Sequence, residues 1–254
     1  MAWYRIRHFW LFICLAAVST GPPIPAEAQS APSRACVVLL HGLARTSRSM
    51  AKMADALEQA GYYSVNMSYP SRTATIEQSA MQVIPEAIRQ CDAAQCGPVH
   101  FVTHSMGAIL LRQFLSNEKI DRLGRVVMIS PPNQGSEAAE ALKTRWYYRK
   151  FNGPAGQQLG TGPDGIAARL GAVDYPTGVI TGNMHSFFDG WLARIIPGED
   201  DGKVSVERAK VAGMRDFLVL PYSHPFIMAR EETISQTQHF LVHGHFRTPS
   251  IEPE

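Results

Sequence analysis

A serine that follows an apolar run is the first residue of this chain whose setting suggests chemistry. Residues 98–103 favour a buried strand, and Ser105 follows in the segment THSMG. In a sharp turn between a strand and a helix, a serine hydroxyl is exposed as a nucleophile, and the next backbone N–H, here of Met106, can bind an oxyanion. Gly107 suits the close approach in such a turn, whereas Thr103 stands where glycine is typical. The alternative is a serine that only caps the helix.

A second segment, HGL, follows the apolar run CVVLL at 36–40. If that run is a neighbouring strand, its end lies beside Ser105, and the backbone N–H of Leu43 becomes a second oxyanion donor together with that of Met106. The alternative is that His41 and Gly42 form a plain turn at the end of a strand.

A serine nucleophile needs a base, and the sequence offers nine histidines. His224 lies in the loop after the apolar run 217–220, which predicts that it meets the same sheet edge as Ser105. The neighbours of His41 and His104 indicate packing or loop roles. Three further histidines are interpreted as a solvated helix end rather than a metal site: His239, His243 and His245.

The base in turn needs an acid that fixes its tautomer, and three acidic residues precede it in one turn. Asp201 is the preferred acid because it directly precedes Gly202 and the apolar Val204. Asp200 remains the alternative, and Glu199 is less favoured. The resulting order along the chain is serine, acid, histidine.

Strands that alternate with helices must position these residues, and this alternation predicts a mostly parallel sheet with helices on both faces. The predicted strands are 36–40, 62–68, 98–103, 125–129, 178–181 and 217–220. The predicted helices are 47–60, 75–90, 106–115 and 231–242.

One irregular region, 136–175, interrupts the alternation and is interpreted as a short cap-like insertion over one edge of the sheet. It contains the cluster Trp146-Tyr147-Tyr148 between Arg145 and Arg149. The cluster forms a lid or a lipid-facing patch in one interpretation, and packs inward in the other. The first interpretation adds a transient contact with a lipid surface.

The N-terminus differs in composition from the rest of the chain. Basic residues precede a short apolar run, and small residues follow, with Ala26 and Ala28 in an Ala-x-Ala pattern. This pattern predicts a signal peptide over 1–28, removed after Ala28, and export to the periplasm or beyond. Residues 29–254 are then a single domain. The net charge is only +2 and no basic run occurs, which argues against a nucleic-acid partner.

Three cysteines remain after Cys14 of the predicted leader is set aside. In an oxidising compartment they predict one disulfide and one free thiol. Cys91 and Cys96 are close in sequence and are the favoured pair, while Cys36 with either of them is the alternative. The spacing suits no zinc site.

Five segments together resemble the α/β-hydrolase fold family, most of all its bacterial lipase and esterase branch. They are HGL (41–43), THSMG (103–107), SPPNQGS (130–136), DDGKVSV (200–206) and SHPF (223–226). The resemblance implies that Ser105 is the nucleophile, His224 the base and Asp201 the acid. It also implies that Leu43 and Met106 form the oxyanion hole, and that no metal or organic cofactor is needed.

The implied activity is hydrolysis of a carboxylic ester, from a small molecule or a lipid, through an acyl-enzyme. Fold alone does not choose among carboxylester, triglyceride, thioester and polyester substrates. Two alternatives remain. The same triad could transfer the acyl group to an alcohol, or the fold could serve as a non-catalytic binding module of the cell envelope.

Overall fold

A six-stranded parallel sheet forms the centre of the computed structural model, which describes residues 1, 34–187, 192 and 194–247. The strands occur in the spatial order β2-β1-β3-β4-β5-β6. Their bounds are β1 (Cys36–Leu40), β2 (Tyr63–Met67), β3 (Val99–His104), β4 (Leu123–Ile129), β5 (Thr177–Gly182) and β6 (Asp216–Leu220). From β1 the chain adds β2 on one side, and it then adds β3 and the later strands on the other side, so the order switches between β1 and β3. Ligands of such sheets bind at the carboxyl ends of the strands near this point.

Seven α-helices accompany the sheet within the described residues. They are α1 (Ala51–Gln59), α2 (Ile76–Ala93), α3 (Met106–Leu115), α4 (Glu137–Leu142), α5 (Trp146–Gln157), α6 (Val206–Ala209) and α7 (Glu231–His243). Short 3-10 turns add Ser47–Met50, Ile166–Arg169 and Ile227–Ala229.

The alternation of side chains along β1 explains why both faces of the sheet are covered. Val38 packs in one buried cluster with residues of α2 and α3. Val37 and Leu39 pack in a second cluster with residues of α1 and α7. A strand buried on both faces must be apolar at every position, as the run CVVLL is.

The predicted elements are confirmed with small shifts at their ends. All six strands occur within two residues of their expected bounds, and the predicted helix 47–60 begins with a 3-10 turn before α1. The insertion contains α4 and α5 between β4 and β5, and α5 is broken at Gly153, where the backbone has φ 60°. Residues 2–28 of the predicted signal peptide lie outside the described residues, and no helix of the described part could cross a membrane.

The favoured disulfide is wrong. Cys91 bonds to Cys36, with their Cα atoms 5.8 Å apart, and Cys96 is a free, buried thiol. Cys91 lies on the sheet-facing side of α2, where it meets the first residue of β1 in the same cluster. Proximity in sequence favours Cys96 as the partner of Cys91, but the packing of α2 against the sheet brings Cys91 to Cys36 instead.

Candidate active site

The turn between β3 and α3 holds Ser105 in a strained conformation with φ 53° and ψ −122°. A positive φ is costly for a residue other than glycine and is retained mainly at functional sites. The side chain does not cap α3. A Cβ on Gly107 would lie 2.5 Å from the carbonyl oxygen of Leu40, so only glycine allows α3 to approach β1 this closely. The bulk of Thr103 is accommodated inside the sheet, where its hydroxyl lies 3.4 Å from the Val127 carbonyl.

Three of the predicted site residues lie in one hydrogen-bonded chain. His224 Nε2 lies 3.0 Å from Ser105 Oγ, and His224 Nδ1 lies 2.8 Å from Asp201 Oδ2. The side chains come from the ends of β3 and β6 and from the loop between β5 and β6. All three residues are buried. This arrangement has the contacts of a nucleophile, a base and an acid that orients the base.

The surroundings of Asp201 keep its carboxylate ionised although it is fully buried. Burial alone raises its pKa, but the charge and hydrogen bond of His224 and the backbone N–H of Val204 outweigh burial and lower the pKa below its ordinary value. Oδ1 accepts the N–H groups of Lys203 and Val204, each at 3.0 Å. The backbone N–H of His224 also donates to the Asp201 carbonyl at 2.9 Å, which fixes one loop on the other.

The alternative acids face elsewhere. Asp200 Oδ1 lies 2.7 Å from His185 Nε2 and accepts the N–H of Gly202 at 2.8 Å. Glu199 is exposed. Asp201 is therefore the acidic residue of this turn that contacts His224.

The two predicted oxyanion donors belong to segments that adjoin Ser105. A Cβ on Gly42 would lie 3.1 Å from the Ser105 Cβ, so the loop that carries Leu43 passes against the serine. Within the described residues, the backbone N–H groups of Leu43 and Met106 donate no hydrogen bond. Two such donors beside a nucleophile can stabilise negative charge on a substrate oxygen.

The two other histidines near the serine have packing roles, as predicted from their neighbours. His41 is buried and stacks on Tyr69, with ring centroids 4.0 Å apart. His104 lies 3.1 Å, through Nε2, from the carbonyl of His224. Burial is the main cause that lowers the pKa of both rings, so they are neutral near pH 7. A neutral His104 donates through Nε2 and supports the His224 loop.

A cavity of about 390 Å³ opens above the serine. That size is typical of small-ligand sites, which have apolar walls and few polar groups. The polar lining comes from the Ser105 site and from Arg45, Ser136, Asn152 and Lys203, whereas the insertion supplies most of the apolar wall. The apolar residues from the insertion are Ala138, Ala139, Leu142, Tyr147, Tyr148, Phe151 and Leu159.

The cluster Trp146-Tyr147-Tyr148 faces partly outward and partly inward, so each of the two interpretations holds for part of it. Trp146 is 72% exposed and Tyr147 41% exposed. Tyr148 instead packs against the core, and its burial raises the pKa of its hydroxyl. One residue of the cluster therefore anchors α5, while its two neighbours face outward.

Sequence reasoning missed the residues that tie the loops of the site together. Ser136 caps α4 and also donates its hydroxyl to the Lys203 carbonyl at 2.7 Å, which links the insertion to the acidic turn. Arg45 donates to the Pro225 carbonyl at 3.2 Å, across 180 positions of sequence. Ser136 belongs to a recognised segment and could have been found, but no local signal indicates the role of Arg45.

The histidines at the end of α7 form a cluster away from this constellation. The rings of His239 and His243 are 4.2 Å apart, and those of His239 and His245 are 5.2 Å apart. Over residues 34–187, 192 and 194–247, no group of three or more metal-binding side chains is arranged to hold a metal ion.

The strained serine turn, the parallel sheet and the order of the site residues define an α/β hydrolase. The chain belongs to the alpha/beta hydrolase family, whose model matches residues 37–246. No curated protein matches the sequence significantly.

Solved structures share this fold at low sequence identity. The mature lipase BlEst2 from Bacillus licheniformis is 20% identical with a TM-score of 0.65, over 83% of this chain and 93% of that one. Phospholipase PlaB from Legionella pneumophila is 18% identical with a TM-score of 0.65, over 82% and 57%. Aspergillus fumigatus lipase B is 16% identical with a TM-score of 0.63, over 86% and 55%. The chain thus spans just over half the length of the last two.

Proposed function

We propose that the protein hydrolyses carboxylic esters through an acyl-enzyme on Ser105. The observation that carries the proposal is the position of His224, which contacts Ser105 Oγ at 3.0 Å and Asp201 at 2.8 Å. A serine is a weak nucleophile until an adjacent base takes its proton. The lipases, phospholipase and esterase among the similar folds support the ester class.

In the proposed reaction, His224 Nε2 takes the proton of Ser105 as Oγ attacks the ester carbonyl. The negative charge that develops on the carbonyl oxygen is stabilised by the N–H groups of Leu43 and Met106, each worth about 3–4 kcal/mol. His224 then protonates the departing alcohol. Water, deprotonated by His224, attacks the acyl-enzyme, and His224 returns the proton to Ser105 Oγ as the acid is released. Asp201 stabilises the imidazolium in both halves of the reaction.

The apolar wall of the cavity supports an acyl group as the part of the substrate that lies against the insertion. On this wall, Leu142, Tyr148 and Leu159 carry no charge that would disfavour an acyl group. We therefore propose that the alcohol side of the ester lies toward the polar side of the cavity, near Arg45 and Lys203.

The test is hydrolysis of p-nitrophenyl esters from acetate to palmitate by the wild type and by Ser105→Ala, with the exposed Ser116→Ala as the matched control. We expect Ser105→Ala alone to lose activity, and the chain-length profile to separate an esterase from a lipase. Labelling of Ser105 by a fluorophosphonate without ester hydrolysis would contradict the substrate class but not the nucleophile. Transfer to an added alcohol in place of water would indicate an acyltransferase, and the absence of both labelling and hydrolysis would favour a binding module.

We also propose that the protein is exported. The Cys36–Cys91 disulfide supports this proposal, because disulfides persist in oxidising compartments, and so does the leader-like composition of residues 1–28. Cell fractionation with mass spectrometry of the mature N-terminus tests it. A cytoplasmic protein that keeps Met1 and reduced thiols would contradict it.

A further inference from the structure

The first half of α5, residues 146–152, carries a surface that the chemistry of the site does not use. Trp146 is 72% exposed, Tyr147 41% and Phe151 56%, and Arg149 and Lys150 beside them are also exposed. We call these five residues the aromatic–basic face. Exposed apolar residues that are scattered singly are ordinary, but a contiguous patch marks an interaction surface.

The aromatic–basic face is held in place from below. Tyr148, on the same turn of the helix, is partly buried and packs against the core. The break at Gly153 lets the backbone lie against Arg72, where a Cβ on Gly153 would come within 1.7 Å of the Arg72 carbonyl oxygen. The guanidinium of Arg72 lies 6.0 Å from the Phe151 ring centroid, which adds a cation at this edge. The exposed aromatics thus lie on an anchored helix.

The charge of the segment is of one sign. No acidic residue occurs between Glu140 and Asp164, and Lys143 is paired with both of these. Within the described residues, Arg145, Arg149 and Lys150 form no ion pair with a carboxylate. This is the arrangement of an interfacial helix, in which aromatic side chains enter the headgroup region of a bilayer and cations contact anionic headgroups.

The aromatic–basic face also borders the proposed catalytic cavity. Tyr147 and Phe151 belong both to this face and to the wall of the cavity that contains Ser105. On the other side, Phe226 is 47% exposed and directly follows Pro225, which lines the same cavity. Any surface that binds the aromatic–basic face therefore lies at the mouth of the cavity.

We propose that the aromatic–basic face docks the protein on an anionic phospholipid surface and presents lipid esters to the cavity. The proposal names the source of the substrate and so rests on the proposed function. Cations near an anionic leaflet are attracted to its headgroups. Self-association through the same face is disfavoured because it would bring the cations of two copies together.

The experiment measures sedimentation with vesicles, using Ser105→Ala so that binding is observed without hydrolysis. We expect binding to vesicles of phosphatidylcholine with phosphatidylglycerol, weaker binding to phosphatidylcholine alone, and loss of binding in high salt. Wild-type hydrolysis of p-nitrophenyl acetate, which is soluble, is measured in parallel. A failure of docking and a failure of the proposed function are therefore distinguishable.

Two sets of variants in the Ser105→Ala background locate the surface. Removal of two cations by Arg149→Gln/Lys150→Gln weakens partitioning roughly 30-fold. Trp146→Ser/Phe151→Ser weakens it by at least about 10-fold through lost apolar burial. The matched controls are Arg89→Gln/Lys119→Gln and Met81→Ser/Val242→Ser, which change exposed residues of the same kinds outside the aromatic–basic face and leave binding unchanged.

Three results would overturn the docking proposal while circular dichroism shows folded protein. The first is no binding to anionic vesicles. The second is equal losses in the face variants and in their matched controls. The third is a dimer, seen by size-exclusion chromatography, that Trp146→Ser/Phe151→Ser converts to a monomer, because a second copy would then be the occupant of the face.

Discussion

Two adjacent aspartates make almost the same local contacts, and only one of them is connected to the serine. Asp200 and Asp201 are both buried, both accept backbone N–H groups of their own turn, and both contact a histidine. Asp201 contacts buried His224, whereas Asp200 contacts the partly exposed His185. Burial and a histidine partner therefore do not identify a catalytic acid. What distinguishes Asp201 is the second contact of its histidine, with Ser105 Oγ.

The difference arises from the backbone of the turn. Neighbouring residues in extended chain direct their side chains to opposite sides. Asp200 pairs with Ser205 in a short antiparallel bridge, and Asp201 contacts the β6 loop through the backbone N–H of His224. One side chain thus faces His185, and the other faces the end of β3.

The largest expected effect is a difference in kcat between the alanine variants of His224 and His185. His224→Ala removes the proposed base and should lower kcat on the order of 10⁶-fold. His185→Ala removes the partner of Asp200. It should change kcat by less than about threefold, because His185 does not contact Ser105. Steady-state kinetics on the best p-nitrophenyl ester measures both. Comparable losses would mean that the Asp200–His185 pair takes part in the reaction.

The next largest effect should be a difference in kcat between the asparagine variants of Asp201 and Asp200. Asp201→Asn should lower kcat about 10⁴-fold, because the amide favours the wrong tautomer of His224. Asp200→Asn can keep both of its hydrogen bonds through Oδ1 and should lower kcat by less than about tenfold. The same assay measures both variants. If Asp200→Asn were the more damaging change, the assignment of the acid would be reversed.

Stability should separate the two aspartates far less than activity does. Asp201→Ala removes the acceptor of the Lys203 and Val204 N–H groups, and Asp200→Ala removes that of the Gly202 N–H. Each buried N–H left without a partner should lower the free energy of unfolding by about 1–3 kcal/mol. Urea denaturation followed by circular dichroism checks this. A loss confined to one variant would show that the two carboxylates are structurally unequal as well.

The smallest effect is the dependence of stability on pH. The pKa of Asp201 in the folded protein lies below the ordinary value of 3.8, so its ionised form stabilises the fold above that pH. This contribution is lost as the pH falls through the lower, folded pKa. The difference in unfolding free energy between the wild type and Asp201→Asn should therefore be constant near neutrality and shrink in acid. Denaturation curves across that range test it, and a difference that grows in acid would contradict the lowered pKa.

Much of the fold could be predicted because its signals are local. Continuous apolar runs such as 36–40 indicate strands buried on both faces, and alternation with helical periods indicates a parallel sheet. The ends of the strands then indicate which residues meet at one edge of the sheet, and this predicts that Ser105, His224 and Leu43 lie together.

The sequence by itself determined the strand order along the chain, the class of sheet and the residue types at the end of each strand, because these depend on hydrophobic period and turn chemistry. Tertiary structure alone decided the disulfide partner of Cys91, the hydrogen-bond partners of Arg45 and His104, and the outward side of α5. Each of these depends on which face of a helix or loop packs against a distant element. The physical reason is that local propensity specifies an element, whereas burial against a remote neighbour specifies its contacts.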